Sequence, residues 1–267
     1  MAHPLRWART AYEYFWFGLG YAYFGILGLL VTLASALLYP LLPRQAGARL
    51  GRSAIGVLFR GFLGMLRASG VLRVDLSALD ALRGERGLII APNHPCLLDA
   101  VFVISRIPAV ACIMKAQIWD NPVLGGGARL AGYIRNDSPR GMVRQAASEL
   151  QAGHSLLVFP EGTRTRRRPL NRFKGGFALI AKRAGAPVQT VFIETDNPFL
   201  GKGWPAFKRP RFPLVYRVRL GERFGVAGDV QTFLDTLEDY YRDELVAAAE
   251  MPARTQPAPA SADLIAG

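Results

Sequence analysis

The sequence predicts an α/β fold: a mostly parallel sheet flanked by helices, preceded by an N-terminal membrane-associated helix pair. Three observations carry this. Residues 14–43 contain no charged side chain. Beyond residue 86, short apolar runs alternate with helix-like stretches, the pattern of a largely parallel sheet. The 267 residues are 51% hydrophobic, enough for a sizeable core and too apolar for wholesale disorder.

The elements follow in order. The segment "YFWFGLGYAYFGILGLLVTLASALLYPLLP" exceeds the ~20 apolar residues that span a hydrocarbon core. It is too long for a signal-peptide apolar region and lacks a convincing cleavage site. Its first half is rich in Phe, Trp, Tyr and Gly, a composition suited to the interface or to the packing of membrane helices. A buried core helix is the competing reading, but such helices seldom run so long without charge. Pro40 and Pro43 should end the helix. Next, "RQAGARLGRSAIGVLFRGFLGMLRASG" sets Arg44, Arg49, Arg52, Arg60 and Arg67 among apolar residues at helical spacing, as expected of a helix in an anionic interface. The two segments can form a helical hairpin on or in one leaflet. If the first one spans, the arginines after it favour the cytoplasmic side for the main domain.

Strand candidates are "GLIIAP" (87–92), "AVACIMK" (109–115), "GYIRND" (132–137), "SLLVFP" (155–160), "PVQTVFIE" (187–194) and "PLVYRVRLG" (213–221). Helix candidates are "LLDAVFVISR", a stretch after Pro122, residues 138–153 opened by Ser138-Pro139, residues 177–185 closing on Gly185, and residues 230–249. The division expected is 1–70 for the docking helices, 71–250 for the α/β domain and 251–267 for a disordered Pro/Ala-rich tail.

Charge and composition narrow the function. A formal net charge of +13 calls for nucleic acid, or for an anionic membrane with anionic substrates. No RNA-binding aromatic signature interleaves with the basic residues, and the apolar N-terminal segment favours the membrane. Cys96 and Cys112 make neither a disulfide framework nor a zinc site, and no two histidines have metal-ligand spacing. "GHSLL" has Leu157 where a nucleophile elbow needs glycine, and "GGG" (125–127) lacks a phosphate-loop continuation. His154 belongs to a solvated turn.

Two clusters remain. His94 in "NHPCLLD" follows a strand and precedes a helix, and α/β sheets place their ligands at the carboxyl ends of strands. Residues five apart on a continuous helix point about 140° from each other. A shared site for His94 and Asp99 therefore needs a turn, which Pro95 can supply. Asp99 can then hold one imidazole nitrogen and leave the other to take a proton from a hydroxyl. Cys96 is read as a small packing residue rather than a nucleophile. The second cluster, "FPEGTRT" (159–165), also follows a strand and leads into Arg166, Arg167, Arg168, Arg172 and Lys174. A glycine-bearing loop with a hydroxyl and an arginine suits phosphate.

Together, "NHPCLLD" and "FPEGTRT" resemble the His-x-x-x-x-Asp and Phe-Pro-Glu-Gly-Thr-Arg motifs of the glycerol-phosphate and lysophosphatidic acid acyltransferase family. The resemblance covers roughly residues 70–220. Lys115 and "DNPVLG" (120–125) look like the segment before its second motif, "GYIRND" looks loosely like that motif, and "APVQTVFIE" sits where a fourth is expected. It implies transfer of a fatty acyl group from a thioester to a lipid hydroxyl, without an acyl-enzyme. His94 would be the general base and Asp99 would orient it. Glu161, Gly162, Thr163 and Arg164 would serve the glycerol phosphate, with Glu161 bracing the loop or Arg164, since a carboxylate repels phosphate. Arg135 and Lys174 are further candidates. No metal or cofactor is implied. Acyl-CoA or acyl carrier protein would be the co-substrate, the bilayer and a lysophospholipid the partners, and nucleic acid is not among them. The implied product is phosphatidic acid from 1-acyl-glycerol 3-phosphate, made at the cytoplasmic membrane with the site facing the cytoplasm. A lyso-ornithine or other envelope lipid is the alternative acceptor, encouraged by Pro95-Cys96 and the loose second motif. A non-catalytic membrane- or nucleic-acid-binding protein is the remaining alternative.

Overall fold

A computed structural model describes residues 3–250; the expected tail at 251–267 lies outside the described residues. Two long helices come first, α1 (His3–Leu38) and α2 (Arg44–Ala68). The helix break coincides with Pro40 and Pro43, as proline chemistry requires. Helix α1 begins eleven residues before the uncharged run and so includes Arg6, Arg9 and Glu13.

Seven strands form one sheet: β1 (Leu72–Asp75), β2 (Ile89–Pro92), β3 (Ala111–Lys115), β4 (Ile134–Asn136), β5 (Leu156–Leu157), β6 (Val188–Glu194) and β7 (Leu214–Phe224). Their spatial order is β1-β7-β6-β2-β5-β3-β4. Every neighbouring pair is parallel except β6 with β7. The sheet is thus mostly parallel, with the edge pair β1 and β7 running opposite to the other five strands. Strand β1 was not foreseen, because "LRVD" is short and half polar. Strand β5 is two residues long, since the chain leaves the ladder after Leu157 for the "FPEGTRT" loop.

Helices cover both faces. On one side, α2, a 3-10 turn (Ser77–Leu82) and α3 (Asp99–Arg106) enclose Phe62, Leu63, Leu66, Leu79, Phe102 and Tyr216. On the other, α6 (Pro139–Gln151), α7 (Gly175–Ala184) and α8 (Val230–Glu250) enclose Ile89, Leu156, Phe177, Phe192 and Tyr241. Short helices α4 (Ala116–Trp119) and α5 (Gly125–Leu130) lie between β3 and β4. Ser138 accepts the Gly141 amide and starts α6; Gly185, at φ 63°, ends α7 in the left-handed conformation only glycine adopts freely.

The basic amphipathic reading of α2 needs one correction. Arg52 faces neither water nor lipid: it is buried, donates to Ala131 O and Ala109 O, and pairs with Glu149 at 3.0 Å. The apolar stripe of α2 packs into the same core as β1 and α3, so α2 is part of the α/β body. Helix α1 lies along that body. Tyr12 donates to Ser69 O, Tyr23 to Leu58 O and Thr32 to Val123 O. Its other face leaves Trp7, Phe15, Ile26, Leu30, Leu33 and Leu37 exposed.

Candidate active site

Strand order assembles the site. β2 lies between β5 and β6, so the loop after β2 is flanked by the loops that leave the carboxyl ends of its two neighbours. Asn93, the first residue past β2, is buried and clamps the loop to β6. Its amide Nδ2 donates to Ile193 O at 3.0 Å and its Oδ1 accepts from Ile193 N at 2.7 Å. His94 is thereby held at a defined point above the sheet.

Residues 95–98 turn the chain before α3 begins at Asp99, which brings Asp99 back under His94. Asp99 Oδ2 lies 2.7 Å from His94 Nδ1. Asp99 is 0% exposed. The Cys96 amide donates to Oδ2 at 2.8 Å and the Cys96 thiol to Oδ1 at 3.1 Å. Burial pushes the Asp99 carboxyl up, and the donors from His94 and Cys96 oppose that rise. An acceptor-only carboxylate is the form these donors satisfy. Cys96 is therefore more than packing: it supplies two of the contacts to Asp99. Burial, followed by the nearby Asp99 charge, drives its thiol well above the ordinary range, so it stays protonated.

The "FPEGTRT" loop closes over the other side. Phe159 stacks on the His94 imidazole, with ring centroids 3.8 Å apart and planes 19° from parallel. Glu161 is buried and points inward. Its Oε1 accepts from the His94 amide at 2.9 Å, and its carboxylate also accepts from the Thr165 hydroxyl and the Asn171 amide. Thr165 N in turn donates to His94 O at 2.8 Å. Glu161 thus braces the loop and the His94 backbone; Arg164 is not its partner. Burial raises its pKa, with the three donors acting against the rise. Gly162 turns the loop at φ 65°, and a Cβ there would lie 3.0 Å from Lys174 Cγ.

The cations were placed less well by sequence. Arg164 sends Nη1 to Leu200 O and Gly201 O, at 2.8 and 2.9 Å, in the segment after β6. Arg135 is taken up by Asp120 at 2.9 Å and Asp137 at 2.7 Å. Lys174 caps α7 and donates its amide to Pro160 O. Thr163 Oγ1 lies 3.4 Å from Lys115 Nζ at the end of β3. Lys202, which no motif singled out, joins this group. Its ammonium is lowered by Arg166 first, then by Lys115 and, more weakly, by Arg164. Four cations therefore converge beside the His94 loop, a setting for an anionic ligand. Among the described residues no cluster of His, Cys, Asp and Glu could hold a metal ion.

An open α/β sheet with a buried carboxylate–imidazole pair at the carboxyl end of a central strand, and cations beside its loop, defines the class of site. Residues 73–194 match the Acyltransferase family model. The chain is 29% identical to a chloroplastic 1-acyl-sn-glycerol-3-phosphate acyltransferase of Brassica napus, over 49% of this chain and 40% of that protein. It is 32% identical to a lyso-ornithine lipid O-acyltransferase of Pseudomonas aeruginosa, over 42% of this chain and 50% of that protein. The chain thus matches half or less of the length of these curated relatives. The crystal structure of the 1-acyl-sn-glycerophosphate acyltransferase PlsC from Thermotoga maritima shares the fold. Its TM-score is 0.68 at 18% identity, over 93% of this chain and 99% of that one.

Proposed function

We propose that the protein transfers a fatty acyl group from a thioester to the free hydroxyl of 1-acyl-glycerol 3-phosphate, giving phosphatidic acid. The observation that carries this reading is the 2.7 Å contact between His94 Nδ1 and the buried Asp99. With Nδ1–H held by the carboxylate, Nε2 is the basic nitrogen. It takes the proton of the acceptor hydroxyl as the oxygen attacks the thioester carbonyl carbon. Asp99 stabilises the imidazolium, and the proton passes to the departing thiolate. Phe159 on the ring face and Glu161 on the backbone amide hold the base in register. The raised, buried thiol of Cys96 supports direct transfer rather than an acyl-enzyme.

The convergence of Lys115, Arg166 and Lys202 with Arg164 supports a phosphate-bearing acceptor. A lyso-ornithine-type acceptor is the second reading. It is favoured by the carbonyl partners of Arg164 and the carboxylate partners of Arg135, which leave fewer arginine donors free for phosphate. The donor carrier is coenzyme A or acyl carrier protein. Thiol release from an acyl thioester, measured with and without lysophosphatidic acid, tests the activity; mass spectrometry of products from a lysolipid panel tests the acceptor. His94→Ala should lower turnover by about 10²–10⁴-fold with the fold intact. Near-wild-type turnover in that variant would sink the assignment.

The substrates are lipids, so the site belongs at a bilayer. The tethers of α1 run from Tyr12 to Thr32, about 30 Å of helix, which equals the thickness of the hydrocarbon core. A helix crossing the bilayer would carry the α/β body into hydrocarbon with it. We therefore favour α1 lying in one leaflet.

A further inference from the structure

The segment 195–213 joins β6 to β7 and is absorbed by neither the sheet nor the two motifs. We propose that it is a second bilayer-docking element, selective for an anionic leaflet, that extends the docking face of α1. This rests on α1 lying at the bilayer and is independent of which lysolipid is acylated. Phe207 is 86% exposed, more than any other large apolar side chain among the described residues. The segment around it is nonetheless anchored. Tyr21 on α1 donates to Ala206 O, and its ring lies 6.2 Å from that of Phe207. Arg209 pairs with Glu13 and lies 4.9 Å from the Tyr14 ring centroid. Phe199 meets Phe17 at 6.2 Å. An exposed aromatic held this way is presented at a fixed position beside Tyr21 of α1.

Charge identifies the occupant. A cavity of about 890 Å³ opens between the first turns of α1 and this segment. Arg6, Arg9, Lys208, Arg209 and Arg211 line it. Of the two carboxylates there, Glu13 is already held by Arg9 and Arg209; Asp196 is the other. Arg6, Lys208 and Arg211 pair with no carboxylate among the described residues. Lys208 instead lies 5.0 Å over the Trp204 ring, an amphipathic pairing suited to the headgroup layer. Apolar tip, aromatic collar and unpaired cations together match the boundary between acyl chains and anionic headgroups. The element also reaches the site: Leu97 donates to Leu200 O, and Arg164 holds Leu200 O and Gly201 O. Docking this segment sets the His94 loop at the membrane surface.

The test uses the full chain at low salt with vesicles of phosphatidylcholine, alone or with about one-third phosphatidylglycerol. Phe207→Ser should weaken binding to both by about tenfold, the loss expected for one phenylalanine leaving an apolar medium. The Lys208→Gln, Arg211→Gln double variant should weaken binding to the anionic vesicles by about tenfold or more and leave binding to phosphatidylcholine unchanged. In Phe207→Trp, brominated lipid should quench emission beyond the wild-type tryptophan background. Wild-type binding by Phe207→Ser, absence of added quenching, or equal losses of the double variant on both vesicle types would each overturn the proposal. Thiol release from a detergent-dispersed thioester in the presence of a panel of lysolipid acceptors, measured in parallel, separates the readings. If wild type and variants alike release none, the acyl-transfer reading fails while the vesicle data still judge the docking element.

Discussion

Asp99 and Glu161 are two buried carboxylates that serve one histidine from opposite sides. Asp99 takes the ring nitrogen and Glu161 takes the backbone amide. Their roles separate experimentally. Asp99→Asn places an amide donor against Nδ1 and favours the wrong tautomer, so turnover should fall by about 10³–10⁴-fold in the thiol-release assay. Cys96→Ser keeps a donor toward Asp99 and should retain most turnover. Cys96→Ala removes a donor from a buried charge and should cost about 1–3 kcal/mol in chemical denaturation. For Glu161 the pH dependence carries a sign. Its folded-state pKa is raised, so the folded protein binds that proton more tightly than the unfolded chain. The resulting stability is fully present below the ordinary glutamate value and is lost as pH rises through the raised one. Glu161→Gln lacks this titration. Its melting temperature relative to wild type should therefore climb as pH rises from the ordinary glutamate value through the raised one. A flat difference would mean that Glu161 does not titrate in that window.

At the scale of elements, close approach explains Gly51 of α2 and Gly126 of α5. A Cβ on Gly51 would lie 2.6 Å from the Ala131 backbone nitrogen, and one on Gly126 would lie 2.8 Å from Thr32 Cα on α1. Backbone cannot yield as a side-chain tip can. Gly51→Ala should cost roughly 1–3 kcal/mol through displacement of α2 from the end of α5, readable as a lower melting temperature in detergent. The segment 195–213 is the other element whose behaviour follows from its partners. Arg164→Ala removes both donors from the Leu200 and Gly201 carbonyls. Amide exchange around 197–204 should accelerate in that variant, alongside a rise in KM for a phosphate-bearing acceptor. A raised KM with unchanged exchange would show that Arg164 meets the ligand and that its carbonyl contacts are incidental.

At the scale of the molecule, positive charge gathers in two places. Some of it lines the cavity beside α1, and some converges beside the His94 loop. Long-range attraction to an anionic leaflet is screened by salt, with a Debye length of about 8 Å at physiological ionic strength. Vesicle association should therefore weaken as salt rises, while α1 and Phe207 retain a salt-insensitive share.

Much of this was legible in the residues alone. Periodicity and proline placement located α1, α2 and most strands, because those signals act within a turn or a pleat. The His94–Asp99 turn and the "FPEGTRT" loop were visible for the same reason: their chemistry lies within a few positions of sequence. Contacts across the fold were not. Arg52 read as an interfacial cation and is a buried tie to Glu149; Arg135, a further phosphate candidate, pairs with Asp120 and Asp137. Cys96 read as packing and donates to Asp99; Phe159 was visible as part of its motif but not as the ring stacked on His94; Lys202 and Phe207 carried no signal of their own. The sequence by itself determined which segments are helix, strand and reactive turn, since local sterics and hydrogen bonding decide those. Only the strand order, which sets β5 and β6 on either side of β2, decided which loops meet over His94 and which cations remain free there. That order is the outcome of burying both faces of one sheet at once, a property of the whole chain that no local spacing encodes.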